Sequence, residues 1–154
     1  MAAMSDGRDR LGPPDIKLAG VQLWVHSRQF PNSQDYWDAN WLNVTAHCGA
    51  AGASVWTTGS ILHLGELTKL LLGMKQLYQT FEGEAELPCM EAELNIKLKA
   101  RGSGQIELEV RITPNITTQE HRFKFDIDQS YLPEAIAGCE KVLSEYPVKN
   151  AAAI

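Results

Sequence analysis

Two alternating stretches separated by a four-residue turn place the strongest constraint on the fold. Apolar residues occupy every second position in 92–100 and again in 106–112, and Arg101-Gly102-Ser103-Gly104 lies between them. A period of two is typical of strands with one buried and one solvated face. A short connection containing glycine joins such strands as an antiparallel hairpin. The pattern therefore predicts an antiparallel sheet with one face in water.

Two further segments have the period of an amphipathic helix. The first runs from about residue 64 to about residue 80, and Gly73 in its middle predicts close packing or a local weakness. The second follows the N-cap candidates Asp128-Gln129-Ser130 and has Pro133 in its first turn. The apolar stripe of the first helix is Leu67, Leu70, Leu71, Met74, Leu77, Tyr78 and Phe81, and that of the second is Leu132, Ala135, Ile136, Cys139, Val142 and Leu143.

Alternation also marks strands at 15–25, 41–48 and 123–127, and β-branched and aromatic residues predict a short return strand at 54–57. In the first of these the period slips by one residue at Ala19-Gly20, which predicts either one strand bent at a bulge or two short strands. Connections this short favour antiparallel neighbours. We therefore predict an α+β domain: one antiparallel sheet of about six or seven strands, with two amphipathic helices packed on one face.

The size and composition of the chain limit the number of domains and the classes of partner. Its 154 residues fit one domain. We expect a flexible leader at 1–14, the domain at 15–148 and a flexible tail at 149–154. The net charge of −5 argues against nucleic-acid binding, and no apolar run is long enough to span a membrane. Three widely spaced cysteines, Cys48, Cys89 and Cys139, suit free thiols in a reducing cytoplasm.

The sequence contains no arrangement typical of catalysis or metal binding. His26, His47, His63 and His121 are scattered, and no Cys-x-x-Cys or His-x-x-x-His spacing occurs. No Gly-x-Ser-x-Gly turn is present either. We therefore predict no catalytic residues, no metal site and no cofactor.

The stretch from Asp35 to Leu42 combines two tryptophans, a tyrosine, two aspartates and an asparagine, and we interpret it as the bend that leads into a central strand. In a structural interpretation, Asp38 or Asn40 closes an Asx turn, and Trp37 or Trp41 fills the core. In a functional one, an exposed Tyr36-Trp37 pair beside Asp35 and Asp38 binds a partner. We assign residues 40–42 to the fold and predict partner binding by Asp35, Tyr36, Trp37 and Asp38.

A second candidate surface is the acidic segment before the hairpin, whose carboxylates are Glu82, Glu84, Glu86, Glu91 and Glu93. As a solvated sheet edge, these residues discourage aggregation. As a docking patch, they speed association with a basic protein. Both interpretations remain open, and we include the five glutamates in the predicted partner-binding set.

The stretch Tyr36-Trp37-Asp38-Ala39-Asn40-Trp41-Leu42, preceded by Phe30-Pro31, resembles the WapI-family bacterial immunity proteins. The similarity extends from about residue 16 to about residue 148, and it includes the run 128–132 that opens the last helix. The resemblance implies a protein that binds and neutralises a bacterial toxin without catalysis of its own.

The sequence and this resemblance together predict a non-catalytic immunity protein in the cytoplasm, which covers a basic toxin domain with an acidic and aromatic surface. One alternative is a small-molecule-binding or enzymatic domain with a pocket between sheet and helices, where Trp37, Trp41, His47 and Cys89 are the residues of interest. Another is a structural homodimer, in which the same patch is self-complementary.

Overall fold

The computed structural model describes residues 10–88 and 93–151, which form two antiparallel sheets and three helices. The first sheet has the order β1 (Ile16–Leu18), β2 (Val21–Arg28), β3 (Trp41–Ala50), β4 (Ala53–His63). The second has the order β5 (Glu84–Pro88), β6 (Leu94–Gly102), β7 (Gln105–Ile112), β8 (Arg122–Asp128). The helices are α1 (Tyr36–Ala39), α2 (Leu64–Thr80) and α3 (Leu132–Glu145), and a 3-10 turn at Gln129–Tyr131 precedes α3.

The prediction of one sheet with six or seven strands is wrong, because the described strands divide into two sheets of four. The division falls at α2, which separates β4 from β5. Alternation identifies which face of a strand is buried, but it does not tell whether the strands on either side of a helix pair with each other. The helices also do not share one face of a sheet: α2 packs on β5 and α3, whereas α3 packs on β1.

Tight two-residue turns join β1 to β2, β3 to β4 and β6 to β7. The predicted hairpin between β6 and β7 is confirmed, and its turn residues Ser103 and Gly104 have φ values of 54° and 79°. The slip at Ala19-Gly20 is the turn between β1 and β2, so the two-strand interpretation was right. Glycine is required at residue 20, because a Cβ there would lie 2.4 Å from the carbonyl oxygen of Gly49.

Both predicted helices are present, and α2 has the predicted bounds. Gly73 lies in the middle of α2, and a Cβ at this position would lie 2.6 Å from the Cβ of Ala85 on β5. The glycine therefore serves close packing of the helix on the edge of the second sheet. Pro133 lies in the first turn of α3, as predicted.

The core lies between the two sheets and the helices. β3 contacts β7 and β8 across the sheets, and the inward side chains form one continuous cluster of buried apolar residues. The two cysteines that the structure describes, Cys48 and Cys139, belong to this cluster. The burial of Cys139 agrees with its position on the predicted helix stripe.

The outer faces of the two sheets differ in charge. In the first sheet, the outward positions of β2, β3 and β4 carry no Lys, Arg, Asp or Glu among the described residues; we call this the uncharged face, and it consists of Gln22, Trp24, His26, Ser27, Asn43, Thr45, His47, Ser54, Trp56, Thr58 and Ser60. In the second sheet, the outward positions are almost all charged; we call this the charged face, and it includes Glu84, Glu86, Lys97, Lys99, Glu107, Glu109, Arg111, Arg122, Lys124 and Asp126.

Candidate functional site

Asp35 starts the short helix α1 at the entrance to β3. Its Oδ2 atom accepts hydrogen bonds from the backbone N–H groups of Trp37 and Asp38, each at 3.1 Å. Two of the unsatisfied donors of the first turn are thereby paired. The capping residue is Asp35, so the structural interpretation that gave this turn to Asp38 or Asn40 was wrong about the residue. We call Asp35, Tyr36, Trp37 and Asp38 the α1 surface.

Asn40 fixes the C-terminal end of α1. Its side chain is fully buried, and its Nδ2 group donates to the carbonyl oxygens of Tyr36 at 2.7 Å and Lys149 at 2.9 Å. Its Oδ1 atom accepts from the backbone N–H of Lys149 at 2.8 Å. Arg28 adds a bond to the carbonyl of Ala39 at 2.8 Å. Buried and fully paired, Asn40 holds α1 against the last residues of the described chain, as its assignment to the fold predicts.

The two rings of the α1 surface and the ring of Trp41 pack around the buried His63. Ring centroids of Tyr36, Trp37 and Trp41 lie 5.2, 5.3 and 5.0 Å from the centroid of His63. Trp37 nevertheless remains 48% exposed, whereas Tyr36 and Trp41 are half-buried. One side of the Trp37 indole is thus supported by the fold while another side faces solvent.

His63 connects this aromatic group to α2. Its Nδ1 atom accepts from the backbone N–H of Gly65 at 3.0 Å and so caps the helix, while its Nε2 atom has no hydrogen-bond partner among the described residues. Burial lowers the pKa of His63, and the nearby carbonyl groups of Tyr36 and Trp37 oppose this effect only in part. The ring is therefore neutral near pH 7.

The glutamates occupy a different part of the molecule. Glu82 follows α2, and Glu84 and Glu86 point outward from the edge strand β5, where they lie across from Lys99 and Lys97. Glu93 is half-buried, and Glu91 lies outside the described residues. Since α2 has 17 residues, its C-terminal end, next to Glu82, is about 25 Å from its N-terminal end at the α1 surface. The structure thus brings together the four residues of the α1 surface, but it keeps Glu82 away from them.

A groove between the two sheets is the site to compare with the predicted pocket. Its volume is about 740 Å³, and its charged lining residues are Lys17, Lys124, Asp126 and Glu134. Trp37, Trp41 and His47 do not line it, and Cys89 lies outside the described residues. The groove therefore does not bring together the side chains that the sequence suggested for a pocket.

The nucleophilic and metal-binding groups that the structure describes are not assembled into a reactive centre. Burial raises the pKa of the Cys48 thiol to about 12, and burial with a smaller contribution from Glu140 raises that of Cys139 to about 12. Both thiols are therefore protonated and unreactive at neutral pH. Within residues 10–88 and 93–151, no three His, Cys, Asp or Glu side chains are grouped so as to hold a metal ion.

The sequence interpretation missed His63 as part of the α1 surface's support. It directly precedes α2, where Ser, Thr, Asp and Asn are the usual capping residues, so a histidine gives no clear capping signal. Its contacts with Tyr36 and Trp37 join residues more than twenty positions apart. The pairing of Trp41 with His63 across β3 and β4, with the hydrogen bond from the Leu64 N–H to the Asn40 carbonyl at 2.9 Å, brings them together.

Comparisons with known proteins place the chain in a family. Curated protein sequences give no significant match. A crystal structure of WHY1 from Arabidopsis thaliana is similar with a TM-score of 0.43 and 11% identity, covering 86% of this chain and 81% of that one. Among the described residues, no helix is long and apolar enough to cross a membrane. The model of the immunity protein WapI-like family matches residues 14–147, so the chain belongs to that family, as the resemblance at residues 36–42 predicted.

Proposed function

We propose that this protein is a non-catalytic cytoplasmic immunity protein that neutralises a bacterial toxin domain by covering its working face. The observation that carries the proposal is the exposed Trp37 indole, held in place on His63 in a chain of the WapI-like family. Aromatic residues that are fixed before binding contribute strongly to protein interfaces, because little conformational freedom is lost on association.

The α1 surface has the chemistry for a basic partner. Asp35 and Asp38 are exposed on either side of Trp37, so cationic groups of a toxin can pair with carboxylates around a central aromatic contact. Asn40 and the Asp35 cap keep the turn in one conformation before the partner arrives. The proposed mechanism is occlusion: the toxin's working face is covered, and no bond is made or broken.

The glutamates have a separate role in this proposal. Glu82, Glu84 and Glu86 are exposed, and with Glu91 and Glu93 they add negative charge that attracts a basic partner from a distance. Lys97 and Lys99 lie across from Glu86 and Glu84 and offset part of this charge. We therefore propose that the glutamates raise the rate of association, whereas the α1 surface provides the affinity for the toxin.

The groove between the sheets supports one alternative function. It has the volume of a small-molecule site, and it carries both cationic and anionic side chains next to Phe125. A ligand that suits it would carry both charges on an apolar body. Thermal-shift screening with such compounds tests this alternative, and a ligand whose effect is lost in Lys124→Ala would favour it over toxin binding.

Co-expression tests the immunity function directly. A large secreted protein with a toxin-like C-terminal domain, encoded beside this chain, is the expected target. We expect co-expression of the chain to restore growth of cells that produce that domain, and the two proteins to co-purify. Failure of the chain to restore growth against that domain would refute the proposal.

A matched pair of variants tests the α1 surface. Trp37→Ala should weaken toxin binding by roughly 2 kcal/mol or more, the usual loss for a central aromatic contact. Tyr78→Ala is the control, because Tyr78 is exposed to a similar degree, 46% against 48%, but lies on α2. Calorimetric titration measures both affinities, and thermal melting confirms that both variants fold. Equal losses in the two variants would remove the α1 surface from the proposal.

A further inference from the structure

Residues 29–40 connect the antiparallel strands β2 and β3, and they carry the α1 surface. Connections between strands are the more mobile parts of a domain unless other segments hold them. The hydrogen bond from the Ser33 N–H to the Phe30 carbonyl, at 3.1 Å, joins residues within this connection and does not attach it to the rest of the fold. Contacts with other segments therefore determine how firmly the connection is held.

The residues that follow α3 provide such contacts, and we call residues 147–150 the closing segment. The Nζ group of Lys149 donates to the carbonyl oxygen of Pro31 at 2.8 Å. The Nδ2 group of Asn150 donates to the carbonyl oxygen of Gln34 at 3.2 Å. These bonds join residues that are 118 and 116 positions apart in the chain. The closing segment thus attaches the connection to the end of the last helix.

Two contacts of the closing segment lie on either side of the α1 surface. Gln34, whose carbonyl binds Asn150, comes immediately before Asp35. Asn40 follows α1, and its side chain exchanges two hydrogen bonds with the backbone of Lys149, donating at 2.9 Å and accepting at 2.8 Å. Residues 149 and 150 therefore fix both ends of the α1 surface.

Arg28 links the same two segments at the base of the connection. Its guanidinium group donates to the carbonyl oxygen of Ala39, the last residue of α1, at 2.8 Å and also to the carbonyl oxygen of Pro147. One planar group thereby holds α1 and the closing segment together. The α1 surface and the closing segment therefore form a unit whose two parts are ordered together.

We propose that the closing segment sets the affinity of the α1 surface for the toxin, with Lys149 as its positioning residue; this inference rests on the proposed function. A surface that is in its binding conformation only part of the time binds with an affinity reduced by that fraction. The contacts of Lys149 and Asn150 raise the fraction by fixing α1 before the toxin arrives. The coupling is reciprocal, so the bound toxin also holds the closing segment more firmly.

The charge of Lys149 acts against toxin binding, which separates positioning from electrostatics. The proposed toxin is basic, and a lysine beside the connection that carries the acidic α1 surface repels it. Loss of the ammonium group would therefore strengthen binding if charge alone mattered. It weakens binding if the bond to Pro31 positions the surface, so the two explanations predict effects of opposite sign.

Calorimetric titration with the toxin-like domain encoded beside this chain measures that sign. Lys149→Met removes the bond to Pro31 but keeps the backbone bonds to Asn40, and it should weaken binding by roughly three- to tenfold. Lys149→Arg keeps a cationic donor and should restore most of the affinity. Lys141→Met is the matched control: it removes the same charge from an exposed lysine of α3, so the affinity should stay equal or rise slightly.

Hydrogen exchange of the free chain tests the positioning without any toxin. In Lys149→Met, the amides of Ser33, Trp37 and Asp38, which bond within the connection, should exchange faster than in the wild type. The amides of β6 and β7 should keep their rates. In the complex, the Lys149 N–H should exchange more slowly than in the free chain. Circular dichroism and thermal melting establish that the variants fold.

Two results would overturn the inference. One is unchanged exchange in the free Lys149→Met chain, whether or not the toxin binds. The other is an equal affinity of Lys149→Met and Lys141→Met for the toxin domain. A wild type that does not bind the toxin domain would overturn the proposed function instead, whereas faster exchange in Lys149→Met would still support the positioning of α1 by the closing segment.

Discussion

The uncharged face and the charged face are the outer faces of the two antiparallel sheets, and the side chains that they expose to water differ in chemistry. On the charged face, acidic and basic side chains are equal in number in the set Glu84, Glu86, Glu107, Glu109 and Asp126 against Lys97, Lys99, Arg111, Arg122 and Lys124. Most lie across from an opposite charge, although Glu107 also lies across from Asp126 and Arg111 across from Arg122. On the uncharged face, polar groups bond to each other. Thr45, for example, bonds to His26 at 2.8 Å and Thr58 at 3.0 Å. One face is neutral by balance, and the other by absence of charge.

This difference indicates how each face can be used. A face with many charged side chains costs free energy to bury, because every ion needs a new partner once water is removed. A face whose hydroxyl, amide and imidazole groups already bond to each other can be covered at lower cost. The comparison therefore predicts that the outer face of the first sheet costs less free energy to cover than that of the second.

The largest expected effect on stability comes from placing a lysine on the uncharged face, compared with placing a threonine on the charged face. Thr45→Lys removes the two hydrogen bonds of a residue that is only 7% exposed and places an ammonium group there, so we expect a loss of about 3 kcal/mol in the free energy of unfolding. Lys97→Thr, on the exposed face, should change it by less than about 0.5 kcal/mol. Urea denaturation measures both.

Thr45→Val is the control for the first variant, since it keeps the shape but not the hydroxyl, and it should cost about 1 kcal/mol. If Thr45→Lys and Lys97→Thr changed stability equally, the two faces would not differ in the way their bonding suggests.

Acid should affect the two sheets in different pH ranges. Burial lowers the pKa of His63, at the end of β4, below its ordinary 6.5, so the unfolded chain binds the proton first and stability falls as the pH drops through 6.5. The hydrogen bond from Arg101 lowers the pKa of Glu107, on the charged face, below its ordinary 4.5. The stability that Glu107 contributes is therefore lost only below pH 4.5.

Unfolding midpoints in urea, measured from pH 8 to pH 3, separate these two ranges. His63→Asn keeps a capping residue that does not titrate, so the decrease that starts near pH 6.5 should become smaller. Glu107→Gln should reduce only the decrease below pH 4.5. An unchanged slope near pH 6.5 in His63→Asn would show that another group causes it.

The smallest expected effect concerns the ion pairs of the charged face. Glu109 lies 3.1 Å from Arg122 and 3.4 Å from Arg111, and both arginines are exposed. A double-mutant cycle of Glu109→Gln and Arg122→Gln should give a coupling of about 0.5 kcal/mol, reduced at high salt. The hydroxyl pair of Thr45 and Thr58, measured in the same way, should show no salt dependence. A salt-independent coupling at Glu109 would remove this contrast.

Local pattern was enough to predict the elements with a strong period. The stripe of Leu67, Leu70 and Met74 predicts α2, and the alternation on both sides of Gly102 predicts the hairpin of β6 and β7. These signals are reliable because a buried side and a solvated side repeat along the same element.

The arrangement of these elements did not follow from the same patterns. An alternating strand has the same sequence signal in one sheet of seven strands as in two sheets of four. The four residues of the α1 surface were predicted as a group from the sequence. The residues that hold this surface in place were not predicted, because His63 and Lys149 reach it from distant parts of the chain. Such contacts depend on how the sheets pack, and no local period encodes them.

The hydrogen bonds between Asn40 and Lys149 have a consequence for protein synthesis. The backbone of Lys149 completes the bonding of Asn40, and Asn40 holds the end of α1. A nascent chain that has emerged only as far as α3 still lacks this contact, although both sheets are already outside the ribosome. Since domains begin to fold during synthesis, the α1 turn would be the last part to be fixed. Under the proposed toxin binding, polypeptides that end before residue 149 would then bind the toxin poorly.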